Sequence, residues 1–379
     1  MKRNLLLLIG ILAIIFPMNL NAQEGPKISG FVQGLYQAKL DKDGKLMDGD
    51  DSNTLRMRRV RVSVEGKLTK TISYKIQGDF SRSPMMVDAF VKYKPCKEFA
   101  IQVGQFKTPF SIESPINPVN LEIFDYGESV QKLVGYSDVC GVGGLGRDIG
   151  IMASGDLFQL KDKDFALVNY SIGVFNGNGV NVVDNNNRKD IVGRLEIHPM
   201  LKAITLSGSY YWGSYRNKTV ESEIKGLETG TGFGDKLSLD KYGHGVRNRW
   251  AAGLQYNDGN LMVRGEYLCG TTGVQNLTLD TLTQVVTNTE TTIVSNGYYA
   301  VAGYNFKLGK DGNQKLMPVL RYEHFAKDAL AEKGGTNYYT VGVNYWPIKS
   351  LNFKLDYSLI QPEKGDYSHR IVGILSYKF

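Results

Sequence analysis

The residues best suited to chemistry are arginines at alternating positions. In Arg56-Met57-Arg58-Arg59-Val60-Arg61-Val62-Ser63-Val64-Glu65, the valines share one parity, and Arg59, Arg61, Ser63 and Glu65 share the other. A pleated strand sends alternate side chains to opposite faces. Arg59 and Arg61 therefore stand two residues apart on one polar face, as planar forks whose geometry suits oxyanions. Arg56 and Arg58 fall on the apolar parity and are expected at a rim or beyond it, because arginine in hydrocarbon is costly. The polar parity of other segments adds Lys75, Lys92, Arg194, Arg247, Arg249, Arg264, Arg321, Lys354, Arg370 and Lys378. Against these stand Glu65, Asp79, Asp88, Glu196, Glu266, Glu323 and Asp356. The basic excess favours anions near that face without identifying which one. The plainer reading is that these bases and acids neutralise one another.

No other motif competes. The four histidines (His198, His244, His324, His369) are scattered, and Cys96, Cys140 and Cys269 show no metal or redox spacing, although one disulfide could form. Gly141-Val142-Gly143-Gly144-Leu145-Gly146 has no strand–helix unit around it to make a phosphate cradle. No nucleophile, base and orienter converge, so neither an enzyme nor a cofactor is expected. The net charge of +7 is mild and spread along the 379 residues, without the dense basic tract of a nucleic-acid binder.

The elements that position these residues begin after an export signal. Lys2 and Arg3 precede an apolar run from Leu5 to Phe16, Pro17 ends it, and Ala22 offers a small residue before a cut. Residues 1–22 are thus expected to be removed, leaving 23–379 as one domain. No later run is long enough for a spanning helix. The mean hydropathy of −0.24 is that of a soluble protein, but a barrel gives only alternate residues to lipid and keeps the average low. In Leu351-Asn352-Phe353-Lys354-Leu355-Asp356-Tyr357-Ser358-Leu359, apolar and polar residues alternate without exception. Similar segments recur from about residue 27 to the end and give roughly 16 strands, within the even-numbered range of bacterial barrels.

Connector lengths agree with a barrel. Short turns at 67–71, 95–98, 199–202, 257–259 and 347–349 contrast with long connectors at 39–53, 107–147, 214–246 and 270–296. The Thr-rich part of the last connector, from Thr271 to Thr292, reads as an exposed loop. Short turns on one rim and long loops on the other belong to an outer-membrane barrel, with both ends of the mature chain on the short-turn side. A soluble sandwich would alternate too, but without this bias. The fold class is therefore all-β: a transmembrane antiparallel β-barrel with a long inward-folded third loop. Loop 107–147 is rich in proline and aromatic residues and is expected to narrow the lumen.

Three segments resemble the phosphate-selective porin O and P family. They are Leu55-Arg56-Met57-Arg58-Arg59-Val60-Arg61-Val62-Ser63-Val64-Glu65-Gly66, then Val87-Asp88-Ala89-Phe90-Val91-Lys92-Tyr93, then Val103-Gly104-Gln105-Phe106-Lys107-Thr108-Pro109-Phe110-Ser111. The Asn21-Ala22-Gln23 processing site and terminal Phe379 look like those of Bacteroidetes outer-membrane proteins. The resemblance implies a homotrimer, a long third loop folded inward, and an arginine ladder leading oxyanions to a narrow basic site. It places Arg59 and Arg61 in that ladder, with Lys107 and Asp88 near the constriction.

The expected function is a passive outer-membrane porin of a Gram-negative bacterium with a preference for anions such as phosphate. Arg59, Arg61, Lys75, Asp88, Lys107, Arg247 and Arg249 are the candidate pore-lining residues. The alternatives are a general or sugar-permeable porin, and a structural or adhesive barrel. The partners implied are small anionic solutes and outer-membrane lipid, not nucleic acid.

Overall fold

Along Leu351–Pro362 the polar residues are the hidden ones. Asn352, Lys354, Asp356 and Ser358 are buried, while Phe353, Leu355 and Tyr357 are 45%, 56% and 41% exposed. This inverts the pattern of a water-soluble core, and it is stable only where hydrocarbon bathes the outer face. The wall repeats it with Leu254, Leu320, Val341 and Leu375 outside and Arg264, Arg321, Asn344 and Ser376 inside.

The computed structural model describes residues 24–160, 165–199, 201–216, 244–280, 285–309 and 312–379. The expected leader, 1–22, and most of connector 214–246 lie outside these residues. The chain runs as β1 (Glu24–Leu40), β2 (Asn53–Lys67), β3 (Ile72–Asp79), β4 (Met86–Tyr93), β5 (Ala100–Lys107), β6 (Arg147–Gln159), β7 (Ala166–Phe175) and β8 (Asp190–Ile197). It continues as β9 (Ile204–Trp212), β10 (His244–Asn257), β11 (Leu261–Asp280), β12 (Val285–Tyr304), β13 (Gln314–Ala326), β14 (Gly335–Ile348), β15 (Leu351–Pro362) and β16 (Ser368–Lys378). Ser214–Arg216 prolongs β9 past Gly213 along the same partner, and Phe306–Leu308 prolongs β12 past Asn305. Every neighbour is antiparallel. β1 pairs with β2 on one side and with β16 on the other, from Phe31 opposite Lys378 to Leu40 opposite His369, so the sheet closes. Closure gives each strand of the wall a hydrogen-bonded neighbour on both sides, as a hydrocarbon medium demands. This is the expected 16-stranded barrel.

Two sequence expectations are corrected. Gln33 faces Arg59 but Gly34 faces Met57, so Arg58 is an extra residue bulged out of β2. A bulge re-aims the side chains beyond it. Leu55 and Met57 point outward at 81% and 53% exposure, while Arg56 and Arg58 turn to the lumen and not to the lipid side of a rim. Strict parity counted from Val60 cannot register that step. The second correction concerns the Thr-rich stretch. Over its described residues it is strand and not loop: β11 and β12 stay paired from Thr271 opposite Val294 to Asp280 opposite Val285, and 281–284 lie outside the described residues. Thr and Val are strong strand formers, and the hairpin extends beyond its neighbours.

The long connector between β5 and β6 holds a 3₁₀ turn, Pro118–Asn120, and one short helix, α1 (Glu128–Leu133). Asn117 caps the turn by accepting from the Val119 N–H at 3.3 Å. Glu128 in the first turn of α1 and Lys132 in the last suit the helix dipole and approach each other at 3.5 Å. Phe110, Ile123, Val130, Leu133 and Val134 are buried against the inward side chains Tyr211, Leu268, Tyr299 and Phe325. The barrel's interior core is therefore made by this loop.

Candidate functional site

The loop is fixed by charge at several places. Near its start Ser111 adopts a left-handed backbone (φ 72°), and its hydroxyl donates to Glu266 at 2.8 Å while the Ile112 N–H donates to the other oxygen at 2.8 Å. Glu113, fully buried, accepts from Arg321 at 2.5 Å and from Arg264 at 3.2 Å. Arg264 also holds Glu122 at 2.6 Å. Farther on, Asp125 pairs with Arg58 and, at 2.9 Å, with Arg59. Ser129 donates to Glu323 at 2.8 Å through both its N–H and its hydroxyl. Asp138 closes the series, held by Arg247 at 3.0 Å and Arg249 at 3.1 Å. Burial alone would raise the Asp138 carboxyl, but the two guanidinium groups outweigh it and hold it at about 2. Glu113 and Asp125 are likewise lowered, burial being overcome by Arg321 and Arg264 at the first and by Arg58 and Arg59 at the second.

These contacts lie mostly on one side. The loop leans on β8 to β16 and reaches β2 chiefly through Asp125, leaving open space along β2 to β7. Toward the long-loop rim a cavity of about 380 Å³ is lined by Arg56, Arg58, Arg59, Arg61 and Arg82, with Asp125 across it. Below it a cavity of about 300 Å³ is lined by Arg61, Lys75, Asp88, Phe90, Lys107 and Arg147. Arg61 borders both. A third space of about 260 Å³ at the short-turn rim is lined by Lys92, Lys94 and Arg194 with Asp156 and Glu196. Basic side chains thus follow one wall from rim to rim.

The candidate residues take different positions on this plan. Arg61 donates through Nε to Asp79 at 2.9 Å, and its terminal nitrogens have no acceptor among the described residues. Lys75 is partly exposed, 3.6 Å from Glu65. Arg59 is shared between Gln33 at 3.2 Å and Asp125. Asp88 is occupied by Arg147 in a two-pronged pair at 2.6 and 3.2 Å. Lys107 borders the inner cavity but donates to the Ser114 carbonyl, to the Ile116 carbonyl at 3.0 Å and to the Tyr126 hydroxyl at 2.9 Å. Arg247 and Arg249 are buried beneath the loop, and their geometry is that of anchors.

Sequence parity misses Arg58 because of the bulge, Arg82 because it sits in a connector, and Arg147 because it is the first residue of its strand. It also misses Glu113, Glu122, Asp125 and Asp138, since a loop has no periodicity to assign its acids to a face. They neutralise much of the wall's basic excess, so selectivity rests on the bases they leave unpaired. Arg56 and Arg82 form no ion pair or hydrogen bond among the described residues, and the buried Arg82 Nε lacks a partner. Cys96, Cys140 and Cys269 are free thiols. Among the described residues no cluster of His, Cys, Asp and Glu could hold a metal.

Comparison with known proteins agrees with this architecture. The family described as phosphate-selective porin O and P matches residues 32–369. A Salmonella typhi OmpF solved in complex with daunomycin superposes with a TM-score of 0.61 at 15% identity, covering 93% of this chain and 97% of that one. An anion-selective porin from Comamonas acidovorans gives 0.58 at 11% identity, with 94% and 99% covered. OmpT of Vibrio cholerae in its trimer form gives 0.57 at 11% identity, with 94% and 100% covered. At such identities the likeness is one of fold. No curated protein matches the sequence.

Proposed function

The chain belongs to the phosphate-selective porin O and P family of outer-membrane porins, and from that footing we propose a passive pore that prefers oxyanions, with its conducting path along β2 to β7. The observation that carries this reading is Arg61, whose terminal nitrogens face the junction of two cavities, with Arg56 and Arg82 above and Lys75 below. An anion entering from the long-loop rim meets in sequence Arg56 and Arg82, which have no ion pair among the described residues, and then the terminal nitrogens of Arg61, which engages Asp79 through Nε alone. Several weak sites in a row lower the access barrier without trapping the ion. Planar forks favour a tetrahedral or trigonal oxyanion over chloride because two parallel hydrogen bonds can form. Lys107 and Asp88 act through the frame: one braces the loop, the other orients Arg147. We assign a homotrimer as the working assembly, in line with the trimeric form of the Vibrio cholerae neighbour.

Reconstituting the mature chain in planar bilayers tests the reading. The reversal potential in a KCl gradient should have the sign of chloride permeation, and phosphate should block the chloride current, with relief in Arg61→Ala. A cation-preferring reversal potential would overturn it.

A further inference from the structure

The inner cavity differs from the outer one in having an apolar wall. Phe90 and, across from it, Pro115 of the loop line this space together with Arg61 and Lys75. Phe90 meets Phe106, which lines the same cavity, edge to face at 5.9 Å, and Phe106 meets Phe175 in the same way at 5.6 Å, so the Phe90 ring is braced by its aromatic neighbours. Gly104 lies opposite Phe90 in the β4–β5 register with φ 132°, and a Cβ there would run into the Ala89 carbonyl and the Phe90 Cα. Glycine lets β5 pass close beside the phenylalanine.

Phe90 also lies directly opposite Lys75 in the β3–β4 register. Paired positions on one face bring their Cβ atoms to about 5 Å. The Lys75 ammonium is 3.6 Å from Glu65 and its side chain is 30% exposed, so it can still turn to a solute. A braced aromatic face and an accessible cation therefore stand side by side over a cavity of about 300 Å³. An inorganic anion uses the cation and leaves the phenyl face against water. An anion with a flat apolar body covers both.

We infer that the inner cavity selects organic anions carrying a flat apolar group beside their charge, such as aryl phosphates or aromatic carboxylates, over inorganic phosphate; the inference rests on the anion preference proposed above. The mature chain in planar bilayers tests it by block of the chloride current with inorganic, methyl and phenyl phosphate, with phenol as the uncharged control. Phenyl phosphate should reach half-block at about fivefold lower concentration than methyl phosphate, the size of one aromatic contact. Phe90→Ser should close that gap and leave methyl phosphate block unchanged. Equal block by methyl and phenyl phosphate in the unmodified pore would overturn the inference while leaving the anion preference intact, and this comparison needs no variant to fold. Block by phenol equal to that by phenyl phosphate would overturn it too, since the charge would then play no part. A pore that no phosphate blocks and that passes cations would instead bring down the proposed function on which the inference stands.

Discussion

Glu113 accepts a hydrogen bond from Arg321 at 2.5 Å although the two are 208 residues apart, and neither side chain reaches solvent. Arg264 completes the pair to a triad at 3.2 Å. A carboxylate so placed is tolerable only because its partners are preformed on the wall, and removing one member leaves the others buried and uncompensated. The triad ties the start of the loop to β11 and β13, and so sets how far it leans from the opposite wall.

Glu113→Ala should therefore loosen the loop. The loss of a buried partner costs about 3–5 kcal/mol locally. The expected result is a noisier pore of larger single-channel conductance, with the barrel still heat-modifiable on gels. Unchanged conductance would show that the triad does not hold the loop.

Deleting residues 115–140 removes the helix, the turn and the Asp125 and Asp138 clamps together. Single-channel conductance should rise well beyond that of Glu113→Ala, because the interior core is made by this segment. A deletion barrel that conducts like the intact chain would mean that the loop does not narrow the lumen.

Paired and unpaired arginines should separate cleanly. Arg82→Ala removes a guanidinium with no ion pair among the described residues, and it should shift the reversal potential toward zero with little loss of stability. Arg249→Ala removes an anchor of Asp138, and it should lower thermal stability while barely moving the reversal potential. The opposite pattern would reverse the two assignments.

Acid should release the loop late. Glu113, Asp125 and Asp138 are all held below the ordinary carboxylate range. Carboxylates lowered in the folded state contribute their full stabilisation above the unfolded value, 3.8 for Asp and 4.5 for Glu, and lose it as pH falls through the folded one, about 2 for Asp138. With Glu266, Glu323 and Asp356, the wall carboxylates that also accept from the loop, replaced by their amides, conductance should stay level from pH 7 to about 5 and rise chiefly below about pH 3. A rise centred near pH 6 would show that other groups hold the loop.

How much of this the sequence discloses depends on periodicity. The strand from Leu351 alternates without a break, and its two faces follow from residue type alone. The same rule fails at Arg58, where one inserted residue reverses the parity and nothing in the local composition marks the step. It also fails from Thr271 to Thr292, where polar β-branched residues look like a loop because neither face is apolar. Loop acids such as Glu113 and Asp138 are beyond its reach, since their partners lie on distant strands. The motif containing Lys107 is visible in the sequence, but the side chain's role as a brace emerges only from the three acceptors around it. Labelling can check the bulge: in a cysteine-free background Arg58→Cys should react with a charged, water-soluble thiol reagent, and Met57→Cys only with a lipid-soluble one.

The most direct test of an off-centre path compares the two walls under current. Gln102→Cys lies on the open side at the inner cavity, and Asn344→Cys lies on the loop-covered side, where Asn344 donates to the Glu122 carbonyl at 2.6 Å. With native cysteines removed, a charged methanethiosulfonate should cut the current through Gln102→Cys and leave that through Asn344→Cys unchanged. Equal loss of current in the two variants would contradict a pore confined to the β2–β7 side.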